Sequence, residues 1–585
     1  ALLAIHYGNL ALNYFEQHKT NEMLQYADKA EQAHLKVLEN ILSFASEQQR
    51  LTYTAQNDPY VFFAAVNDGP RMAQTVLRHK AVVLDSLLED RLVARASENP
   101  KDQNLIKQLA VAKQQMTELS MTPQKGLTAD VLKKRAETND ALSGQIEQME
   151  GTLAQKVTGF GHARRALTCT VDQVQKMIPP QTVLLEFVHY TSYLDQQQRQ
   201  PHYGAVLLTS KGEPKWINLG AAGEIETNIL HYQRDIRGID RTDDAGFSQL
   251  LGQLYKQTLE PLVAQLPADT KTIVISPDGW LNFVSFATLL VSSNQFLAEK
   301  YTIRYVTSGR DLLQAHVEPA SQDAVFFAAP DYAAGGLITI PRTGLQLQPL
   351  PFLAKNTYDI IAEIKSWNWP VKIYSRAEAT ESNLYNVHSP RILQFSTHGF
   401  LLPENINVPK PAGLKNLLSG PKTPSSAVVL KNPMYRNGIA LAGAQVTLDA
   451  WKLGEVRPTD NDGMLMADEA GNLDLRGTWL VVLAACDTGM GDPRFGEGVM
   501  GLRRGFAQAG AQNLMMTLWP VFDVPSGELL LDFYSSLHQN NNPAKALAET
   551  QRDSLIKFRT KYGLLPAVVL AGGFILSSQG PLDAQ

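Results

Sequence analysis

The spacing of apolar and polar positions changes once along the chain, near residue 165. Before that point Leu, Ala, Gln, Glu and Lys recur at helical intervals, β-branched alternation is nearly absent, and only four prolines occur. This texture predicts an all-α region over residues 1–165. From about Cys169 the chain turns to short β-rich runs, "TVLLEFVHY", "YGAVLLTS" and "KTIVISP", divided by turn residues and by helical stretches such as "FSQLLGQLYKQTLEPLVAQL". A second set begins near Ala324 with "AVFFAAPD" and continues through "VKIYS", "RILQFSTHG", "TWLVVLAAC" and "AQNLMMTLW". Runs that are apolar at nearly every position predict strands covered on both faces. The fold class is therefore α/β, with a mostly parallel sheet flanked by helices. Between two of these runs lies "PENINVPKPAGLKNLLSGPKTPSSAVVLKNPMYRNG". Its Pro, Asn, Gly and Lys content predicts a long mobile loop over 403–438, with Lys410, Lys415 and Lys422 marking a candidate lid or autolysis segment.

Within the helical region, "NLALNYFEQHKTNEMLQYADKAEQA" places Leu10, Ala11, Tyr14, Met23, Ala27 and Ala30 where a two-helix repeat sets its facing residues. It resembles a single tetratricopeptide repeat; an unrelated helical hairpin is the alternative. A lone repeat cannot bury its apolar face, which predicts either further repeats upstream or packing onto the helices that follow.

Composition narrows the function classes. The 585 residues are 44% hydrophobic and 19% charged, close to an ordinary folded protein. A net charge of -5 leaves no basic footprint for direct nucleic-acid binding, and "LKKR" and "LRRG" read as solvated helix faces. Two cysteines cannot build a disulfide framework, which favours a reducing cytoplasm. The longest apolar run, "LLPAVVLAGGFIL", is broken by Pro566 and Gly572-Gly573 and is too short to span a bilayer. The chain starts at Ala1, so a targeting segment could precede it.

Chemistry concentrates at the ends of two strands. His398 follows "ILQFST" and Cys486 follows "LVVLAA". In an open parallel sheet ligands bind beyond the carboxyl ends of strands, so neighbouring strands would bring imidazole and thiol face to face. A thiol is a strong nucleophile as thiolate, and a nearby imidazole both lowers its pKa and returns a proton to a leaving amine. Backbone N–H groups of Gly399 and Cys486 would serve an oxyanion, and Gly399 would let the main chain approach a substrate. Singly, each residue has a plainer reading: a cysteine ending a buried strand packs as a small hydrophobe. His162, His189 and His388 have that plain reading, and Cys169 reads as structural.

Gly496, Gly498 and Gly501 satisfy G-x-G-x-x-G, with Asp523 22 residues beyond. A dinucleotide loop needs its first glycine directly after the strand, whereas Gly496 lies ten residues past Cys486. These glycines read instead as shaping the loop and the start of "VMGLRRGFAQAGA". No P-loop, H-E-x-x-H, G-x-S-x-G or clustered carboxylate pattern occurs, so no metal or other cofactor is expected.

"LQFSTHGF" followed by "DLRGTWLVVLAACDTGMGDPRFGEGVMGLRRGFAQAGAQNLMMTLWPVFD" closely resembles the CHAT family of caspase- and separase-like peptidases, and the likeness extends over about 170–580. The resemblance implies a caspase-like cysteine endopeptidase of bacterial origin with His398 and Cys486 as its dyad. It divides the chain into a helical region at 1–165, an inactive protease-like half at 166–322 and an active half at 323–585. By analogy with separases, Asp523 in "TLWPVFD" is a candidate for the pocket that takes a basic side chain before the cut. Asp487 occupies the family's acidic slot after the nucleophile and either orients the loop or joins that pocket. Ala484 replaces the serine of many relatives, and Pro520 alters the strand exit. Relatives of this layout imply a latent enzyme acting on a protein substrate and docked by a regulatory protein at the helical region. A catalytically silent scaffold is the alternative, and a dinucleotide-binding enzyme the third.

Overall fold

In the computed structural model, which describes residues 2–97, 99–121, 129–159, 164–193, 199–240, 242–335, 346–401, 405–406, 428–429, 432–453 and 461–582, the apolar runs form the interior of one sheet. Its strands are β1 (Thr182–Tyr193), β2 (Arg199–Leu208), β3 (Lys215–Ala221), β4 (Thr272–Ser276), β5 (Thr302–Tyr305) and β6 (Ser321–Pro330). They continue as β7 (Val371–Arg376), β8 (Pro390–Ser396), β9 (Leu480–Ala484), β10 (Asn513–Thr517) and β11 (Phe574–Ser578). The order is β3-β2-β1-β4-β5-β11-β10-β9-β8-β6-β7. Pairing is antiparallel at β3-β2-β1 and at β10-β11, and parallel at the other junctions. Every residue of β9 is buried, as an inner parallel strand requires.

The two α/β sets join through the last strand. β11 is formed by the end of "LLPAVVLAGGFIL", which the sheet divides into the helix Leu564–Ala571 and a strand inserted between β5 and β10. One apolar core runs through both sets, including Phe187, Ile275, Leu393, Val482, Met515 and Ile575.

Ahead of the sheet, the helices Leu2–Glu16 and Thr20–Phe44 pack together. Ala11, Met23 and Ala27 are buried as expected for facing residues, whereas Leu10 is 40% exposed. The buried three share a cluster with Phe63, Val76 and strand residues Leu184 and Val206, so the pair covers its apolar face on the following helices and the sheet. Buried ion pairs fasten the region down. Lys80 Nζ lies 3.0 Å from Glu186 and donates to the carbonyls of Phe187 and Ser276. Arg310 pairs with Asp85 at 2.7 Å, and Arg504 with Glu47 at 2.9 Å. Among the described residues no helix is long and apolar enough to cross a membrane. Lys410, Lys415, Lys422 and His162 lie outside the described residues.

Candidate functional site

Strands β8 and β9 are parallel neighbours, paired from Ile392 with Leu480 through Ser396 with Ala484. His398 and Cys486 each lie two residues past these paired strand ends, at the carboxyl edge of the sheet. Thr397 N–H still donates to the Ala484 carbonyl there, at 3.3 Å. A Cβ on Gly399 would lie 2.1 Å from the Cys486 carbonyl oxygen. Glycine at 399 is thus demanded by the contact between the two strand ends, a reason distinct from the substrate approach expected of it.

Each side chain is held by groups that local sequence did not point to. His398 Nε2 is 2.7 Å from the Gln348 carbonyl. A carbonyl only accepts, so Nε2 carries the proton and, in the neutral ring, Nδ1 keeps its lone pair. The Tyr332 ring lies against the imidazole at 5.4 Å, and its hydroxyl bonds Thr397 Oγ1 at 2.9 Å. The Cys486 thiol donates to the Val521 carbonyl at 3.8 Å. Burial pushes that thiol up from its ordinary value; the adjacent Asp487 adds to the rise and Arg237 opposes it. The resting thiol is therefore protonated at neutral pH.

The loop after Cys486 is bolted to β10 and to the first α/β set. Thr517 Oγ1 donates to the Ala485 carbonyl at 2.6 Å and Gly489 N–H to the Thr517 carbonyl at 2.7 Å. Asp487 adopts a left-handed backbone, φ 56°, a conformation Asp tolerates better than most residues. Its carboxylate pairs with Arg237 Nη2 at 2.6 Å, just past the helix Ala222–Ile236. The Asp487 carboxylate is thus engaged within the protein by Arg237.

Asp523 has a similar engagement. Its two carboxylate oxygens accept the backbone N–H groups of Phe352 and Leu353 at the start of the helix Pro351–Ser366. The first N–H groups of a helix lack partners within it, and the N-cap here is Leu350, whose side chain cannot supply one. Asp523 caps that helix from 171 residues away. The only local hint was Pro351 at a helix start with no Ser, Thr, Asp or Asn before it.

The glycine array forms a hairpin, Asp492–Arg494 paired with Gly498–Met500, with Gly496 at φ 72° in its turn and Gly498 at φ 78° opening the second strand. It is not the turn that follows β9. Its tip binds both flanking regions: Gly496 N–H donates to Asp278 at 2.8 Å, Phe495 stacks on His189 at 3.8 Å, and Glu497 accepts Val83 N–H at 3.3 Å. Among the described residues no group of three or more His, Cys, Asp or Glu side chains converges as metal ligands.

A family model described as the CHAT domain matches residues 248–561. No curated protein matches the chain. Among solved structures, the chain is similar to gingipain R, the Arg-specific cysteine proteinase of Porphyromonas gingivalis, at 10% identity and a TM-score of 0.32, covering 62% of this chain and 75% of that one. It is also similar to the Saccharomyces cerevisiae separase–securin complex, at 7% identity and a TM-score of 0.39, covering 98% of this chain and 47% of that one. The chain thus spans less than half the length of the separase it matches. Since the matched residues 248–561 make up more than half of the 585, the protein belongs to the CHAT domain family.

Proposed function

We propose that the protein is a cysteine endopeptidase in which Cys486 is the nucleophile and His398 the proton carrier. The observation that carries this reading is the in-register ending of β8 and β9, with Gly399 against the Cys486 carbonyl. The thiol proton passes to His398 Nδ1 as Sγ bonds to the peptide carbonyl carbon. Backbone N–H groups of Gly399 and Cys486 hold the oxyanion. As the C–N bond breaks, the imidazolium returns its proton to the leaving amine; water, deprotonated by the same ring, then releases the acyl group.

The resting state is latent. Burial raises the thiol, and its hydrogen is directed at Val521. Activation requires the strap around Val521 to shift so that thiol and imidazole exchange a proton. A regulatory protein docked at residues 1–165 is the proposed trigger, since helices there contact the hairpin that follows the nucleophile. The division into an inactive half at 166–322 and an active half at 323–585 belongs to the same proposal. In its favour, the pairing of β1 with β4 ends at Glu186 and Ser276, both bonded to the buried Lys80. A bacterial, cytoplasmic setting completes it.

Peptide-library cleavage by the activated wild type, but not by Cys486→Ala treated alike, is the expected result. Equal cleavage by both removes the reading. The raised thiol favours one second reading, a silent scaffold, which predicts no cleavage by either chain under any activating condition.

A further inference from the structure

We infer that the site selects an apolar side chain, aromatic or large aliphatic, on the acyl side of the bond to be cut, with Phe522 and Phe352 as the selecting surface. This deepens the peptidase reading and rests on it. The argument starts from charge. The two carboxylates that border the nucleophile are already committed: Asp487 to Arg237, and Asp523 to two N–H groups at a helix start, where the helix dipole offsets its charge. Neither presents an unmatched negative charge to an arriving Lys or Arg.

What the same strap does present is apolar. Val521 accepts the Cys486 thiol hydrogen, and the next residue, Phe522, is 56% exposed. Consecutive Cα atoms are about 3.8 Å apart, so the Phe522 side chain starts within one residue of the atom that touches the nucleophile. Asp523 then ties this strap to Phe352, itself 55% exposed, and Val524 beyond it is 41% exposed. Leu401, 39% exposed, follows Gly399 on the His398 side. Large apolar side chains left in water at several adjoining positions are a recurrent mark of a binding surface. Here the occupant is defined by continuity with the nucleophile: the residue whose carbonyl Cys486 attacks.

The test is equilibrium binding of blocked tetrapeptides ending in Phe, Leu, Arg or Asp to the intact Cys486→Ala chain, followed by fluorescence anisotropy. Phe and Leu peptides are expected to bind about tenfold or more tighter than Arg peptides, as a pocket built for apolar groups discriminates. Phe522→Ser and Phe352→Ser in that background are expected to remove the difference; both side chains are exposed, and an unchanged thermal unfolding midpoint checks the fold. Arg peptides binding as well as or better than Phe, or no measurable binding of any of the four, overturns the inference. The peptidase reading fails separately, when the wild type cleaves no peptide under any activating condition although the apolar preference in binding holds.

Discussion

Gly399 packs so closely on Cys486 that a methyl group at position 399 would lie 2.1 Å from the Cys486 carbonyl oxygen and 3.1 Å from Thr488 Cγ2. The strand carrying the histidine and the loop carrying the thiol are therefore in main-chain contact, and their separation is set by a residue without a side chain. Gly399→Ala forces the two ends apart. Overpacking of this kind costs about 1–3 kcal/mol. The expected outcome is a lower unfolding midpoint together with loss of peptide cleavage, measured by thermal denaturation and by turnover on the same preparation.

Asp523 acts across the site on the helix Pro351–Ser366. Removing a side-chain cap costs about 1 kcal/mol. Asp523→Ala is expected to lower stability by that amount, while Asp523→Asn, which keeps one acceptor oxygen, loses less. Neither change is expected to alter the preference between Arg and Phe peptides. A switch in that preference on Asp523→Asn, read by competitive peptide binding, would show that the carboxylate meets substrate.

Glu497 sits at the hairpin tip against the helix Val82–Ala96, with Oε1 accepting from Val83 and Oε2 buried without a hydrogen-bond partner. Burial pushes its carboxyl up to about 8, against the lowering influence of Arg504 and Arg310. A carboxyl whose folded pKa exceeds its unfolded one binds more protons folded than unfolded. Stability therefore declines as pH rises from the ordinary carboxylate range to about 8, and is flat beyond. Glu497→Gln keeps the shape and removes the titration. It is expected to be more stable than wild type at pH 9 and nearly equal at pH 5, by denaturant unfolding at the two pH values.

The two cysteines differ in environment and so in reactivity. Cys169 is 2% exposed and burial pushes its thiol up to about 11. Cys486 is half-buried at the sheet edge, its thiol raised by burial as well. Iodoacetamide at neutral pH is expected to modify Cys486 slowly and Cys169 not at all, with the Cys486 rate climbing as pH rises. Peptide mapping by mass spectrometry distinguishes the sites. Rapid neutral labelling of Cys486 in the resting chain would contradict the latent state.

Much of the architecture was legible before any coordinates. "LVVLAA" and "ILQFS" read as buried parallel strands because burial on both faces leaves almost no polar position, and this is a local property of each run. The same holds for the helical texture of 1–165 and for Ala11, Met23 and Ala27. His398 and Cys486 were visible as candidate site residues directly after such runs. Other matters were decided by which segments met in three dimensions. β11, from 574–578, joins the two α/β sets although its residues look like the tail of a helix-forming run. The Gln348 carbonyl orients a histidine 50 positions later, and Asp523 caps a helix 171 positions earlier. Periodicity reports how much of a segment is hidden, but not from which neighbour. Strand order and long-range hydrogen bonds are settled only when the whole chain packs, because their free energy belongs to pairs of segments and not to either one.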